Sequence, residues 1–238
     1  IVAIVLLAAT SGDLQLVLWC ATPPAFLAVM LLTAGISEPP RAAGTRRPNP
    51  ISRASIARLG PAYWRLVAVG CLFSLARFSE AFLVLRAADF FSLAFVPLSM
   101  AMMNIVYAAI AYPVGRLADR RDPRFFLGLG LAVLVFADVV LAVAAGPTSL
   151  LFGVGLFGAH HGLTQGVLAA LIAGRCPADL RGTAFGVFNL VSGCALLVSS
   201  VVAGLVWDQR GPAATFTVGA AVASVALLCV VRMSQRAD

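Results

Sequence analysis

The amino-acid sequence predicts an all-α protein that forms a polytopic bundle of membrane-spanning helices. Hydrophobic residues make up 61% of the 238 residues, and the mean hydropathy is +0.98. Charged residues make up only 11%, against about 25% in soluble domains. The apolar residues form runs of about 20 residues, the length that a helix needs to cross a bilayer. The chain has too little polar surface to coat a soluble globule, which also excludes a disordered chain, a disulfide-rich secreted scaffold and a nucleic-acid-binding module.

Seven complete spans and one partial span follow from the apolar runs. Residues 1–10 are almost wholly apolar and lack the charged start of a signal peptide. We therefore interpret them as the tail of a helix, and the sequence as a fragment of a longer protein. Because each span must satisfy its own backbone in lipid, helices are expected. The complete spans are predicted at residues 14–36, 63–87, 90–113, 125–145, 150–173, 183–207 and 212–231.

Basic residues concentrate on one side of the predicted membrane. All 17 are Arg, and the net charge is +7. Fourteen lie in or beside alternate connectors, namely 37–62, 114–124, 174–182 and the C-terminal tail, whereas the intervening connectors hold Arg86 and Arg210. Since positively charged loops stay in the cytoplasm, these segments and the C-terminus are predicted to be cytoplasmic, in a plasma or inner membrane.

The connector at 37–62 is the longest and divides the chain. It is rich in Pro and Arg, a composition typical of a polar linker between two helix bundles. The sequence thus predicts that residues 1–36 complete a first bundle. Residues 63–238 are predicted to form a second bundle of six helices with a short tail.

The connector after the third complete span carries the most informative motif. Residues 115–124 read Gly-Arg-Leu-Ala-Asp-Arg-Arg-Asp-Pro-Arg. This order resembles the signature loop of the major facilitator superfamily, Gly-x-Leu-Ala-Asp-Arg-x-Gly-Arg-Arg. The chain departs from that pattern at Asp122 and Pro123, where the family prefers Gly and Arg. The matching positions are Gly115, Leu117, Ala118, Asp119, Arg120 and Arg124.

A second stretch supports the same resemblance. Residues 177–186 are similar to the family's entry to its eleventh helix, as are residues 189–193 within that helix. The family has twelve helices in two halves, so the resemblance implies that residues 1–36 are the end of helix five and all of helix six. Residues 37–62 would then be the central cytoplasmic loop. The resemblance also implies a secondary active transporter that moves a small solute by alternating access, driven by a proton or solute gradient.

The resemblance assigns a role to the 115–124 loop. In the family, the signature Asp braces one half of the protein against the other near a helix end. A carboxylate beside a helix N-terminus gains about 0.3–1 kcal/mol from the helix dipole. The residues that would form this conformational lock are Gly115, Asp119, Arg120 and Arg124.

Ionisable residues inside the spans are candidates for a substrate or proton site, because each costs about 2.5–3.5 kcal/mol on insertion scales. Arg77 and Glu80 are three residues apart in the 63–87 span, so they are expected to share one helix face. They are either a self-neutralising pair that packs the bundle or the main charged pair of a cavity. Both interpretations place them away from lipid.

The 150–173 span carries two adjacent His residues. On a helix, His160 and His161 would point about 100° apart, and this divergence makes the two rings poor joint ligands for one metal ion. Because His titrates near neutral pH, either ring is a candidate proton carrier. Small residues at every fourth position run beside them and predict the close approach of another helix. This small-residue stripe consists of Gly158, Gly162, Gly166, Ala170 and Gly174.

Other polar residues complete the predicted site. In the resembling family, helices seven, eight, ten and eleven line this half of the cavity. Amides on such helices also serve as hydrogen-bonding contacts between helices. Asp138 lies on the ninth helix, which is peripheral in the family, and is expected to snorkel outward or to pair locally. The predicted cavity residues are Arg77, Glu80, Asn104, His160, His161, Gln165 and Asn189.

The expected partners are a small-molecule substrate, protons and the lipid bilayer. No cofactor, metal, nucleic acid or obligate protein partner is expected. A phosphate-binding Gly-rich loop with Lys is absent from the sequence, so ATP is not the expected energy source. Two alternatives stay open: a non-transporting sensor or scaffold on a transporter fold, and a membrane-embedded enzyme. No nucleophile–base spacing supports the enzyme, and we predict that the protein is not one.

Overall fold

The computed structural model describes residues 2–10, 13–35 and 53–235. Every regular element in these ranges is helical, which confirms the predicted all-α class. A 3-10 turn at Ala178–Leu180 leads into a last helical segment, Arg181–Gln235. The helices before it are α1 (Val2–Ala9), α2 (Leu14–Gly35), α3 (Arg53–Ala57), α4 (Pro61–Ala76), α5 (Ala81–Ala88), α6 (Pro97–Ala118), α7 (Pro123–Ala142) and α8 (Pro147–Arg175).

The last segment is two helices joined at Gly211. This residue has φ 81° and ψ 180°, a conformation essentially restricted to Gly. The chain then turns back on itself, since the Thr215 hydroxyl lies 3.5 Å from the Ala203 carbonyl oxygen. We call the two parts α9 (residues 181–210) and α10 (residues 212–235). The connector between these spans is thus shorter than the 208–211 stretch that the sequence predicts.

Long apolar helices correspond to the predicted spans. Six helical segments in the described ranges are long and apolar enough to cross a membrane. The last of the six is the α9–α10 pair, so seven crossings result, and α4 and α5 together make one of them over Pro61–Ala88. The predicted span at 90–113 begins too early, because the chain forms turns after α5 and α6 starts only at Pro97.

Proline marks where spans begin. It lacks an N–H to donate and its φ is preset for a helix, so it suits the first helical turn. At α7, Asp122 adds a cap, because its carboxylate accepts a hydrogen bond from the Arg124 N–H at 2.9 Å. These prolines locate helix starts more closely than hydropathy does. They are Pro61, Pro97, Pro123, Pro147 and Pro212.

The helices from α4 to α10 pack around an apolar core that includes Leu83, Leu131 and Phe157. A smaller cluster near α3 contains Tyr63, whose hydroxyl donates to the Ala184 carbonyl oxygen on α9 at 2.9 Å. By contrast, none of the apolar stretch of α2 is buried against the described residues. Such exposure suits a helix of a separate bundle. The division into 1–36, 37–62 and 63–238 stays a prediction, and much of the 37–62 loop lies outside the described residues.

Close packing of α6 on α8 explains two of the five positions of the small-residue stripe. A Cβ at Gly158 would overlap the backbone carbonyl of Met103, and a Cβ at Gly162 would lie 2.9 Å from the Cβ of Ile110. Among the described residues, no atom would lie within 4 Å of a Cβ at Gly166 or at Gly174. The predicted close approach is therefore correct for the first two glycines and wrong for the other two.

Candidate functional site

A break in the first span of the second bundle positions the charged residues. α4 ends at Ala76, Arg77 has extended backbone angles of φ −116° and ψ 151°, and α5 begins at Ala81. The expectation that Arg77 and Glu80 share one face of a continuous helix is therefore wrong. The four residues between the helices form a non-helical turn, which redirects both side chains.

Serines from α9 satisfy backbone groups that the break releases. The Ser199 hydroxyl donates to the Leu75 carbonyl oxygen at 3.0 Å, and the Ser79 N–H donates to the Ser200 hydroxyl oxygen at 3.0 Å. Irregular backbone at membrane depth is tolerated only when its polar groups find such partners. Ser199 and Ser200 therefore make the break possible. The sequence did not predict this role, because two adjacent serines in an apolar helix give no indication of which residues they contact.

His161 lies between the two charged residues. Its Nε2 atom is 2.6 Å from Arg77 Nη1 and 3.4 Å from Glu80 Oε1. No ion pair joins Arg77 and Glu80 directly in the part of the chain that the structure describes. The His161 side chain is 4% exposed, whereas that of Glu80 is 45% exposed. The predicted charged pair is thus a triad in which the His ring links the Arg to the Glu.

A cavity of about 240 Å³ lies beside this triad, between α4, α8 and α9. Four predicted site residues line it, and a buried Ser192 hydroxyl in its wall has no hydrogen-bond partner among the described residues. The ring of Phe188 forms part of the wall, and a Cβ at Gly70 would overlap that ring. The lining residues are Gly70, Phe73, Ser74, Arg77, His160, Thr164, Gln165, Leu168, Ala169, Phe185, Phe188, Asn189 and Ser192.

The structure brings most but not all of the predicted site residues together. Arg77, Gln165 and Asn189 line the cavity together with His160. His161 and Glu80 lie behind Arg77, outside the lining. Asn104 does not join them, because its amide donates to the Met100 carbonyl oxygen of its own helix at 2.8 Å and it is exposed on α6.

The two adjacent His residues have different surroundings, as their helical spacing predicts. His160 is 1% exposed and its Nδ1 atom lies 2.8 Å from the Gly130 carbonyl oxygen of α7. The Thr164 hydroxyl donates to the His160 carbonyl oxygen at 2.8 Å. His160 is therefore held in the α7–α8 interface with one edge at the cavity, whereas His161 faces the break.

These helices and their motifs can be compared with known proteins. Residues 87–237, more than half of the chain, match the family model of the Major Facilitator Superfamily. The chain belongs to the Major Facilitator Superfamily. It is also a multi-pass membrane protein, given its family and its long apolar helices.

Two relatives of the superfamily are similar to this chain. One is the uncharacterized MFS-type transporter MJ1317 of Methanocaldococcus jannaschii, 28% identical over 67% of this chain and 42% of the relative. The other is the uncharacterized MFS-type transporter Rv1250 of Mycobacterium tuberculosis, 29% identical over 56% of this chain and 25% of the relative. The chain therefore spans less than half the length of these relatives.

The superfamily signature at 115–124 joins α6 to α7. Its first four residues belong to the last turn of α6, and Asp119 follows as the C-terminal cap residue. The carboxylate that caps the start of α7 is that of Asp122, and the role of Asp119 in a conformational lock stays a prediction. Gly115, Asp119, Arg120 and Arg124 are exposed, so this face of the superfamily loop is available to a further partner.

Asp138 on α7 is a buried acid in the interface with α10. It is 0% exposed, and neither carboxylate oxygen has a hydrogen-bond partner in the described ranges. The position of a Gly219 Cβ would be 2.8 Å from both Asp138 Oδ2 and the Phe78 ring. The expectation of snorkelling or local pairing is wrong, because the absence of a side chain at Gly219 lets α10 close over the carboxyl.

Arg86 ties the far end of α5 to the α7–α8 connector. Its Nη1 atom lies 2.8 Å from Asp89 Oδ2, and its Nη2 atom donates to the Ala144 carbonyl oxygen at 2.8 Å. The guanidinium also lies 4.9 Å from the centre of the Phe90 ring. A guanidinium suits this position because its planar fork can serve two acceptors at once.

Proposed function

We propose that this chain is part of a secondary active transporter that moves a small solute by alternating access, driven by a proton or solute gradient. Family membership supports a transporter. The observation that carries the proposal is the broken helix, which places Arg77 between the cavity and the His161–Glu80 pair. Discontinuous helices build substrate sites in many transporters.

In this proposal, the polar residues of the cavity wall form the substrate site. Arg77, Gln165 and Asn189 would contact the solute, since they present hydrogen-bonding groups to the same space. Its volume of about 240 Å³ is below the usual range of about 300–1,000 Å³ for drug-sized ligands. The proposed substrate is therefore a small molecule.

The signature loop would act at the end of the bundle opposite Arg86. We propose that the exposed carboxylate of Asp119, with Arg120 and Arg124, contacts the other half of the protein and favours one closed state. We also propose that this loop and the C-terminus are cytoplasmic, as the distribution of Arg predicts.

Alternating access can be tested without knowing the substrate. In the full-length protein without its native Cys residues, Asn189→Cys would place a thiol in the cavity wall. We expect an impermeant thiol reagent to label it from both faces of the membrane, because the cavity opens to each face in turn. Cross-linking the signature loop to the other half should abolish labelling from the cytoplasmic face alone.

A peripheral position supplies the matched control. Phe136 on α7 is 52% exposed and does not line the cavity, so Phe136→Cys should resist the same reagent from both faces. If Asn189→Cys were labelled from one face under every condition, the protein would not alternate. The non-transporting sensor or scaffold would then be the better reading.

A further inference from the structure

The hydrogen bonds of His161 show which ring nitrogen carries the hydrogen in the neutral side chain. Its Nδ1 atom lies 3.1 Å from the Phe157 carbonyl oxygen. A carbonyl oxygen only accepts, so Nδ1 carries the hydrogen in the neutral ring. Nε2 then has a lone pair and accepts the N–H of Arg77 at 2.6 Å. In this state Nε2 has no hydrogen to donate to Glu80 Oε1 at 3.4 Å.

Protonation of His161 changes the hydrogen-bond partner that its Nε2 atom can serve. A proton from water that binds the Nε2 lone pair turns Nε2 into an N–H donor, and no other covalent bond forms or breaks. A ring with hydrogens on both nitrogens cannot accept from Arg77. It can donate to the carboxylate of Glu80, which is already within 3.4 Å. Arg77 and Glu80 are therefore alternative partners of one nitrogen atom.

We propose that His161 exchanges Arg77 for Glu80 when it takes up a proton, and that the released Arg77 binds the carboxylate of a small, largely apolar monoanion in the cavity. One proton and one anion would then move together. This inference rests on the proposed transport function, since it names the substrate class and the coupled ion of the same site.

The charges of the triad support this coupling. Arg77, Glu80 and neutral His161 sum to zero, so uptake of a proton leaves one excess positive charge in a partly buried site. A bound monoanion cancels that charge, whereas a neutral solute does not. Because an uncompensated buried charge is costly, the proton and the anion each favour binding of the other.

Other titratable groups near the ring are few. His160 on the same helix lies 5.4 Å from His161 between ring centres, and Tyr107 on α6 lies 6.5 Å away. His160 is already engaged by the Gly130 carbonyl oxygen in the α7–α8 interface. In the described part of the chain, Glu80 is the acidic group that faces His161, so it is the partner that a protonated ring gains.

The cavity wall fits a carboxylate with an apolar body. Arg77 is the one charged side chain among the described lining residues, and the described residues give it a single hydrogen bond. A guanidinium binds a carboxylate through two parallel N–H groups. The unpartnered Ser192 hydroxyl can serve the same head group. Three aromatic rings in the wall suit the apolar part, namely Phe73, Phe185 and Phe188.

Radiolabelled benzoate is a suitable probe, because it is a small aromatic monocarboxylate. The purified full-length protein would be tested at about pH 5.5 and about pH 8, a range over which benzoate stays ionised while the supply of protons to the site changes. We expect benzoate to bind at least about tenfold tighter at the lower pH. In weak buffer at about pH 7, binding should take up roughly one proton per benzoate, reported by an indicator dye. Benzamide, the neutral analogue, should not compete.

Variants separate the two parts of the inference. His161→Gln keeps an acceptor for Arg77 but cannot be protonated, so it should abolish the pH dependence and the proton uptake. Arg77→Gln should abolish benzoate binding at both pH values. Arg210→Gln removes an exposed Arg outside the cavity and is the matched control for lost charge. Each variant is first checked to be folded at the assay temperature by its thermal unfolding curve; if His161→Gln is unfolded there, Glu80→Gln, which removes the alternative partner, must weaken the proton uptake.

The contrary results are equally clear. pH-independent benzoate binding in the unmodified protein would overturn the exchange of partners, as would full proton uptake in His161→Gln. Competition by benzamide equal to that of benzoate, or no benzoate binding at all, would overturn the proposal that the substrate is an anion. Labelling of Asn189→Cys from both faces in the same preparation would show that alternating access, and with it the proposed function, stands regardless.

Discussion

The Ser79 N–H donates a hydrogen bond to the Ser200 hydroxyl oxygen at 3.0 Å, across the interface between the helix break and α9. One residue earlier on α9, Ser199 serves the Leu75 carbonyl oxygen. Two adjacent side chains of one helix thus replace hydrogen bonds that another helix has given up. The break sets the position of Arg77, so this position depends on both contacts.

Replacing both serines should destabilise the break. In Ser199→Ala with Ser200→Ala, the freed backbone groups lose their partners in a poorly solvated site, and each unsatisfied group costs about 1–3 kcal/mol. We expect a clearly lower melting temperature in detergent. Ser224→Ala is the control, since the Ser224 hydroxyl donates to the Ala220 carbonyl oxygen of its own helix at 2.7 Å. Equal melting temperatures for the double variant and this control would contradict the account of the break.

Two glycines of the small-residue stripe should respond in opposite directions to the same change. Gly158→Ala forces a methyl group against the Met103 backbone of α6, and overpacking costs about 1–3 kcal/mol. Gly166→Ala meets no atom of the described residues and gains up to about 1 kcal/mol of helix propensity. Thermal unfolding of the two variants measures the difference. A harmless Gly158→Ala would mean that α6 and α8 are not in close contact.

Two Arg residues that form ion pairs should contribute different amounts to the free energy of unfolding. Arg86→Gln removes a largely buried side chain that bonds Asp89 and the Ala144 carbonyl oxygen, so we expect a loss of about 1–3 kcal/mol. Arg58 pairs with Asp179 at 2.9 Å, but both side chains are more than half exposed. Arg58→Gln should therefore cost at most about 1 kcal/mol. Chemical or thermal unfolding in detergent ranks the two, and a reversed ranking would count against the role of Arg86.

Arg77 and Glu80 should be energetically coupled through His161. Arg77→Gln and Glu80→Gln share a partner ring, so their effects on stability should be non-additive by about 0.5–3 kcal/mol. The same double-mutant cycle in a His161→Gln background should show roughly half of that coupling or less, because the linking ring is gone. Unchanged coupling in that background would mean that the two charges interact directly.

The predicted orientation can be tested at two connectors. Arg121→Cys lies in the signature loop, and Thr148→Cys lies at the opposite end of α7 and α8; both positions are exposed. In intact cells an impermeant reagent should label the second thiol and spare the first, since basic loops stay inside. Labelling of Arg121→Cys in intact cells would invert the topology.

Hydropathy and Arg placement were enough to predict the spans, because both follow from the cost of polar groups in lipid. The broken helix was not predictable in this way. The 63–87 stretch is apolar on both sides of Arg77, and the serines that stabilise the break lie more than a hundred residues away in sequence. Asp138 was misjudged for a related reason, since its burial depends on a glycine in α10. Local patterns therefore located the helices, whereas the site depended on contacts between distant residues.

The single-residue joint at Gly211 has a mechanical consequence. A long loop would let α9 tilt while α10 stayed in place, but one residue leaves little room for independent movement. α9 carries part of the cavity wall, whereas α10 exposes apolar side chains such as Val225 and Leu228 to its surroundings. Any rearrangement of the cavity wall is thus passed directly to the surface in contact with lipid tails. Under the proposed alternating access, bilayer thickness should then shift the balance between inward- and outward-facing states, since the helix that meets the bilayer cannot relax separately from the helix that lines the cavity.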